Sequence, residues 1–363
     1  MYSLVNIRRT ASPRALATLI VVLICPVWAT PATGATAEFN FDTPSEDRWH
    51  YPFNATPGFR TTGSCFGAVG TPDFSNRDGV ILIAWDTSEL IPPGKGAGSY
   101  DIDSIRVTLT GQANENITPS WLVDTTLDEW FTYDLNADGM NNADGIPRGE
   151  PGDTDGESTD EDSGRPIELF GVGFGPITSE STWTENTPYE GDGPPPNIEP
   201  RDPFAFVYQD GTGEMLRVEE NVDGLYNEAE GVFEFTPVPW SIGVPQGYSP
   251  GVQSTPFDVT FDIDLSLSDG AVRAYFQEQL NNGRVIVAVT SLQEIEEMGP
   301  VSGVPSFYMK EGIVLDDGAK AAALQITTIE NPVPAASTWG VGVMALLLMT
   351  GGALLFRQQL LAA

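Results

Sequence analysis

The chain has 363 residues, with 51 Asp and Glu against 17 Lys and Arg, and a formal net charge of −34 at pH 7. Proteins that hold phosphate backbones do so with clustered Lys and Arg, and no basic cluster follows Arg14, so nucleic-acid partners are excluded. The lone histidine, His50, excludes a His-rich zinc site and must belong to any Ser-His-Asp triad.

The N-terminus places Arg8, Arg9 and Arg14 ahead of an apolar run at 15–29, and no acid precedes Glu38. That order is the mark of a secretory signal peptide over 1–37. Ala35-Thr36-Ala37 supplies the A-x-A step, with cleavage before Glu38. The competing reading, a first transmembrane helix, needs an apolar run of about 20 residues, and this one is shorter. Cys25 follows the bulky Ile24, which a lipoprotein signal does not tolerate. Removing the leader takes three Arg and no acid, so the remainder is more acidic still. It also leaves one cysteine, Cys65, which rules out an intrachain disulfide framework and reads as a small buried residue. Such a surface suits divalent cations, amines or a basic protein face, or simply confers solubility in a salty medium.

Residues 38–330 read as an antiparallel β-sandwich, jelly-roll-like, with one or two short helices. Phe257, Val259, Phe261, Ile263 and Leu265 alternate with Asp258, Thr260, Asp262 and Asp264, the pattern of a half-buried strand. Ile105, Val107 and Leu109 repeat it. The runs at 80–85 and 285–289 are apolar throughout, as in central strands covered on both faces. Shorter strands are expected at 167–170, 204–208, 232–235, 306–309 and 324–329. One helix is expected where Val272, Tyr275, Phe276, Gln279 and Leu280 form a stripe, with Asp269 as its cap and Asn282-Gly283 as its end. An acidic insertion at 134–164 and a Pro/Gly-rich loop at 187–202 carry too few apolar residues to be core.

The segment Asp134-Leu135-Asn136-Ala137-Asp138-Gly139 has the D-x-N-x-D-G spacing that opens a Ca²⁺ loop, with Gly139 permitting the sharp turn. Asp134, Asn136, Asp138, Met140, Asn142 and Asp144 are therefore the candidate Ca²⁺ ligands. The twelfth position is Gly145, so the bidentate acid of an EF-hand is missing. The segment resembles the calcium loops of dockerins and thrombospondin type 3 repeats, except that Asp144 comes one residue early. A solvated acidic turn is the competing reading. No catalytic residue is nominated: with this many acids, some pair will suit a glycosidase by chance. Trp121, Trp130, Tyr133, Trp183 and Trp240 are the aromatics available for stacking on a sugar, though most Trp in a sandwich are core.

The C-terminus reads Val333-Pro334-Ala335-Ala336-Ser337-Thr338-Trp339-Gly340, then an apolar stretch to Phe356, then Arg357. It resembles a PEP-CTERM sorting signal in a V-P-A-x-S-x-W-G form, with Ala335-Ala336 where that family has Glu-Pro and one Arg where it has a basic cluster. The resemblance implies a transmembrane helix within 331–363 that holds the precursor in the membrane until an exosortase-like enzyme cleaves it. An apolar run of about 18 residues can span on physical grounds alone. The body more loosely resembles DNRLRE-type jelly-roll modules. The matching stretches are Asp73-Phe74-Ser75-Asn76-Arg77-Asp78 with the strand that ends at Trp85, the strand from Ile102 to Leu109, and Ser306-Phe307-Tyr308-Met309-Lys310-Glu311-Gly312 before Ala323-Leu324-Gln325-Ile326. Residues 111–256 have no counterpart there.

These resemblances imply an exported, surface-sorted, non-enzymatic structural or adhesion protein of the cell envelope or extracellular matrix. Its expected partners are a processing exosortase, the membrane, and extracellular polysaccharide or other envelope components, with Ca²⁺ as cofactor. The alternative is a secreted carbohydrate-active enzyme or carbohydrate-binding module.

Overall fold

The computed structural model describes residues 35–51, 54, 56–68, 79–112, 123–126, 165–176, 178–187, 202–209, 211–218, 226–227, 232–233, 237–247, 255–291, 294–295 and 304–330. The strands form two antiparallel sheets packed face to face. In the first, β1 (Ala35–Phe41), β19 (Ala323–Glu330), β6 (Ile102–Gly111), β15 (Phe257–Asp262) and β14 (Val244–Gln246) lie in that order, and β18 (Ser306–Tyr308) joins β6 to β3 (Thr62–Ser64). In the second, the order is β10 (Met215–Arg217), β9 (Phe204–Tyr208), β8 (Arg165–Gly173), β16 (Arg284–Ser291), β5 (Val80–Asp86) and β2 (Glu46–His50), with β13 (Ser241–Ile242) and β7 (Val123–Asp124) added to β8. Two short ribbons pair β11 (Tyr226–Asn227) with β12 (Val232–Phe233), and β4 (Gly67–Ala68) with β17 (Glu294–Ile295).

The main partners nest from the outside inward: β1 with β19, β5 with β16, β6 with β15, and β8 with β9, all antiparallel. Successive pairs alternate between the two sheets. The alternation expected for β15 holds, with Phe257, Val259 and Phe261 inward and Asp262 exposed. In β6, Ile102 and Ile105 both face the core although three positions apart. A register shift beside Thr327 and Thr328 absorbs the extra residue.

β5 and β16 are covered on both faces. Ile81, Ile83, Trp85, Val285, Val287 and Val289 enter the core between the sheets. Val80, Leu82, Ala84, Ile286 and Ala288 point the other way, into a second apolar cluster with Phe170, Val172, Val207, Val218 and Trp183. The second sheet therefore carries an outer layer, of which the 178–187 loop is one part.

Helix α1 (Leu267–Asn282) joins β15 to β16 and buries Val272, Phe276, Gln279 and Leu280. Gly283 ends it in the left-handed conformation, φ 82°. The start differs from expectation. Asp269 is not a cap: Ser268, Asp269 and Gly270 all have positive φ, and regular helix begins after them. The Tyr275 hydroxyl takes the N–H of Val172 at 3.2 Å and donates to the Ile286 carbonyl at 2.8 Å, while Gln279 Oε1 accepts the Ile286 N–H at 3.0 Å. These side chains complete the backbone bonding where β8 and β16 separate. Among the described residues, no helix is long and apolar enough to cross a membrane.

Close packing allows no side chain at Gly171, where a Cβ would meet the Trp240 ring at 2.2 Å. Gly171→Ala is expected to cost about 1–3 kcal/mol by displacing the indole. Tyr275→Phe, which leaves backbone groups of Val172 and Ile286 without partners, is expected to cost roughly 1–3 kcal/mol. Urea titrations of both variants check this through a lowered midpoint with an unchanged slope.

Candidate functional site

The described residues hold one group of three acids able to share an ion: Asp47, Glu185 and Glu311, each with an oxygen within 4.8 Å of the others'. They come from three separate elements, brought together at the edge of the second sheet. β2 is an edge strand, registered so that Asp47 pairs with Ile83 and Trp49 with Ile81. An edge strand leaves backbone donors without a strand partner. Glu185 Oε2, from the 178–187 loop, accepts that of Asp47 at 3.2 Å. Gly58 makes room for this approach, since a Cβ there would lie 2.8 Å from Glu185 Cγ.

The third acid arrives on the turn after β18. Met309 N–H bonds to the Thr61 carbonyl at 3.0 Å, and Gly312 packs against Thr61 so closely that a Cβ would lie 1.9 Å from its oxygen. This fixes the intervening Lys310 and Glu311. The Lys310 N–H donates to Asp47 Oδ2 at 2.6 Å. The Lys310 ammonium forms an ion pair with Glu185, donates to the Ser45 carbonyl at 3.0 Å and lies 3.9 Å from Glu311 Oε1.

The 178–187 loop is held along its length by cations. Arg284 of β16 forms an ion pair with Glu46, donates to the carbonyls of Glu180 at 2.9 Å and Trp183 at 3.2 Å, and stacks over the Trp183 ring. Arg48, itself buried, donates to the Thr187 carbonyl.

Asp47 is only 2% exposed. Burial pushes its carboxyl up to about 7. The Lys310 N–H and ammonium oppose that rise, and the charges of Glu311 and Glu185 add to it. Burial likewise raises Glu311, Glu46 and Glu180 above the usual carboxylate range. When both Asp47 and Glu311 are ionised neither can donate, so they repel. One proton between them converts repulsion into a hydrogen bond. A cation or a proton at this cluster relieves that repulsion. Deep burial of Asp47 also keeps substrate from it, which speaks against general acid catalysis there.

A second feature is a shallow groove of about 360 Å³ lined by Val238, Pro239, Trp240, Ile242, Val244, Asp262 and Asp264, among others. Its acids are engaged. Arg106 grips Asp262 through two bonds of 2.6 and 2.9 Å. Asp264 accepts the Ser266 N–H and hydroxyl, which hold its carboxyl below the usual range. A glycosidase acid needs the opposite shift. Trp240 and Trp183 are each 1% exposed and belong to the cores, so neither offers a face to a sugar.

The expected Ca²⁺ ligands Asp134, Asn136, Asp138, Met140, Asn142 and Asp144 lie outside the described residues, as do Val333 to Gly340, Trp121, Trp130 and Tyr133. Ala35, Ala37 and Glu38 fall in β1, opposite Glu330, Thr328 and Thr327. Cleavage after Ala37 would leave residues 38–41 of that strand paired. Cys65 is buried, its thiol raised by burial and aimed at the Val289 carbonyl, as suits a packed residue rather than a nucleophile. Sequence reading did not find Asp47, Glu185 and Glu311, because nothing local distinguishes them from the other acids. Comparison with protein-family models, with curated proteins and with solved structures returns no match.

The unfolded chain ionises Asp47 near 3.8 and the folded chain near 7. Between those values the folded state holds more protons, so stability is expected to fall as pH rises through that window and to level off above it. Asp47→Asn is expected to flatten this decline. Urea denaturation at pH 5 and pH 8, with and without the substitution, measures it.

Proposed function

We propose that the chain is an exported, non-catalytic jelly-roll protein of the bacterial cell envelope or extracellular matrix, sorted through its C-terminal segment and working by adhesion or association with polysaccharide. The nested order of strand pairs, alternating between sheets, supports the jelly-roll assignment. Support for tethering comes from one feature of the topology. The first and last strands are neighbours, with Ala35 opposite Glu330. The chain therefore enters and leaves the sandwich at neighbouring strand ends, an arrangement that suits a body tethered through its C-terminal segment.

The acidic surface suits this reading, since a net charge of −34 discourages self-association and favours cation-mediated contact with anionic polymers. The engaged acids of the groove and the buried indoles support a structural role over a carbohydrate-active one. Mass spectrometry of the native protein is expected to find Glu38 as the N-terminal residue and a C-terminus cut near 333–340, in an envelope or extracellular fraction. Deleting 331–363 is expected to release the protein into the medium. Recovery of the intact chain from cytosol, with both apolar ends retained, refutes the proposal.

A further inference from the structure

We propose that Asp47, Glu185 and Glu311 form a binding site for a hard divalent cation of the Ca²⁺ class, a site separate from the D-x-N-x-D-G motif at 134–144 and independent of whether the protein is exported. Three observations carry it. The donors are all carboxylate oxygens within 4.8 Å of one another, the ligand type that hard cations take. Asp47 is 2% exposed, and while its Oδ2 takes the Lys310 N–H, its Oδ1 is buried and meets no donor. Glu311 Oε2 is in the same condition. When both acids are ionised and share no proton, two buried carboxylate oxygens in one cluster lack donors and ask for a cation, because desolvation without compensation is costly.

The charges agree. Glu46 on β2 is neutralised by Arg284 of β16, and Lys310 offsets one of the three clustered acids, mainly Glu185. Two negative charges remain, which one divalent ion cancels. Access is available from one side: the Glu311 side chain is 31% exposed and that of Glu185 16%. The open side leaves space for the water ligands that complete a Ca²⁺ shell. A proton competes for the same oxygens, since burial and the neighbouring acids lift Asp47 to about 7, so cation binding must weaken as pH falls below that value.

The test uses the full-length protein in detergent, its melting temperature read with EDTA or with 10 mM Ca²⁺ as an order-of-magnitude excess, at pH 8 and pH 6. We expect Ca²⁺ to raise the midpoint by about 5 °C at pH 8 and by less at pH 6. Asp47→Asn and Glu311→Gln should each abolish most of that rise, whereas Asp138→Asn, which disables the loop motif, should leave it. Should Asp47→Asn not fold, the partly exposed Glu311→Gln carries the test. Lys310→Met should enlarge the rise by removing the competing ammonium. No rise in the unsubstituted protein, or a rise that survives both carboxylate substitutions, overturns the proposal. So does a Lys310→Met protein that melts early and that Ca²⁺ does not restore, because the ammonium would then be the cluster's own cation.

Discussion

Apolar residues cover both faces of β5 and β16, and a strand pair of that kind cannot lie on the surface of a two-layer sandwich. One face meets the other sheet. On the opposite face the 178–187 loop supplies part of the cover by seating Trp183 on the second cluster. A loop has no ladder of its own to hold it there. Its fastening comes from charged side chains at the margin of the sheet: Arg284 at Glu180 and Trp183, Arg48 at Thr187, Lys310 at Glu185. The acidic cluster is thus a by-product of a packing requirement. Once Glu185 is drawn to the edge of β2, Asp47 and Glu311 lie beside it, and their mutual repulsion has to be relieved by some positively charged species.

The parts of the fold that were legible in the sequence are those in which one residue's environment is set by its neighbours along the chain. The period-two pattern of β15 and the unbroken apolar runs of β5 and β16 announced both the strands and which faces would be covered. The stripe from Val272 to Leu280 located the helix, and Gly283 its end. β2 was opaque for the opposite reason. Glu46-Asp47-Arg48-Trp49-His50 has almost no apolar content, yet Asp47, Arg48 and His50 are buried, because partners from distant segments close over them. Asp269 misled as a cap because three consecutive left-handed residues put it outside the helix proper. The acidic trio was illegible in principle: its members are scattered across the chain, and only the edge pairing, Gly58 and the turn at Thr61 bring them together.

The same contrast separates the two features that bear on carbohydrate chemistry. An acid at a groove rim invites a catalytic reading until its partners are known. Asp262 is gripped by Arg106, and Asp264 by the Ser266 N–H and hydroxyl, which hold the Asp264 carboxyl below the usual range and so disfavour the proton that an acid catalyst must deliver. Asp47, whose carboxyl burial pushes up to about 7, is the one sealed from substrate.

The adjacency of β1 and β19 has a mechanical side. Chain leaving at Glu330 pulls on a strand whose hydrogen bonds run to β1 on one flank and to β6 on the other. A tug along its length loads both ladders in shear, so many bonds share the tension and none is peeled ahead of the rest.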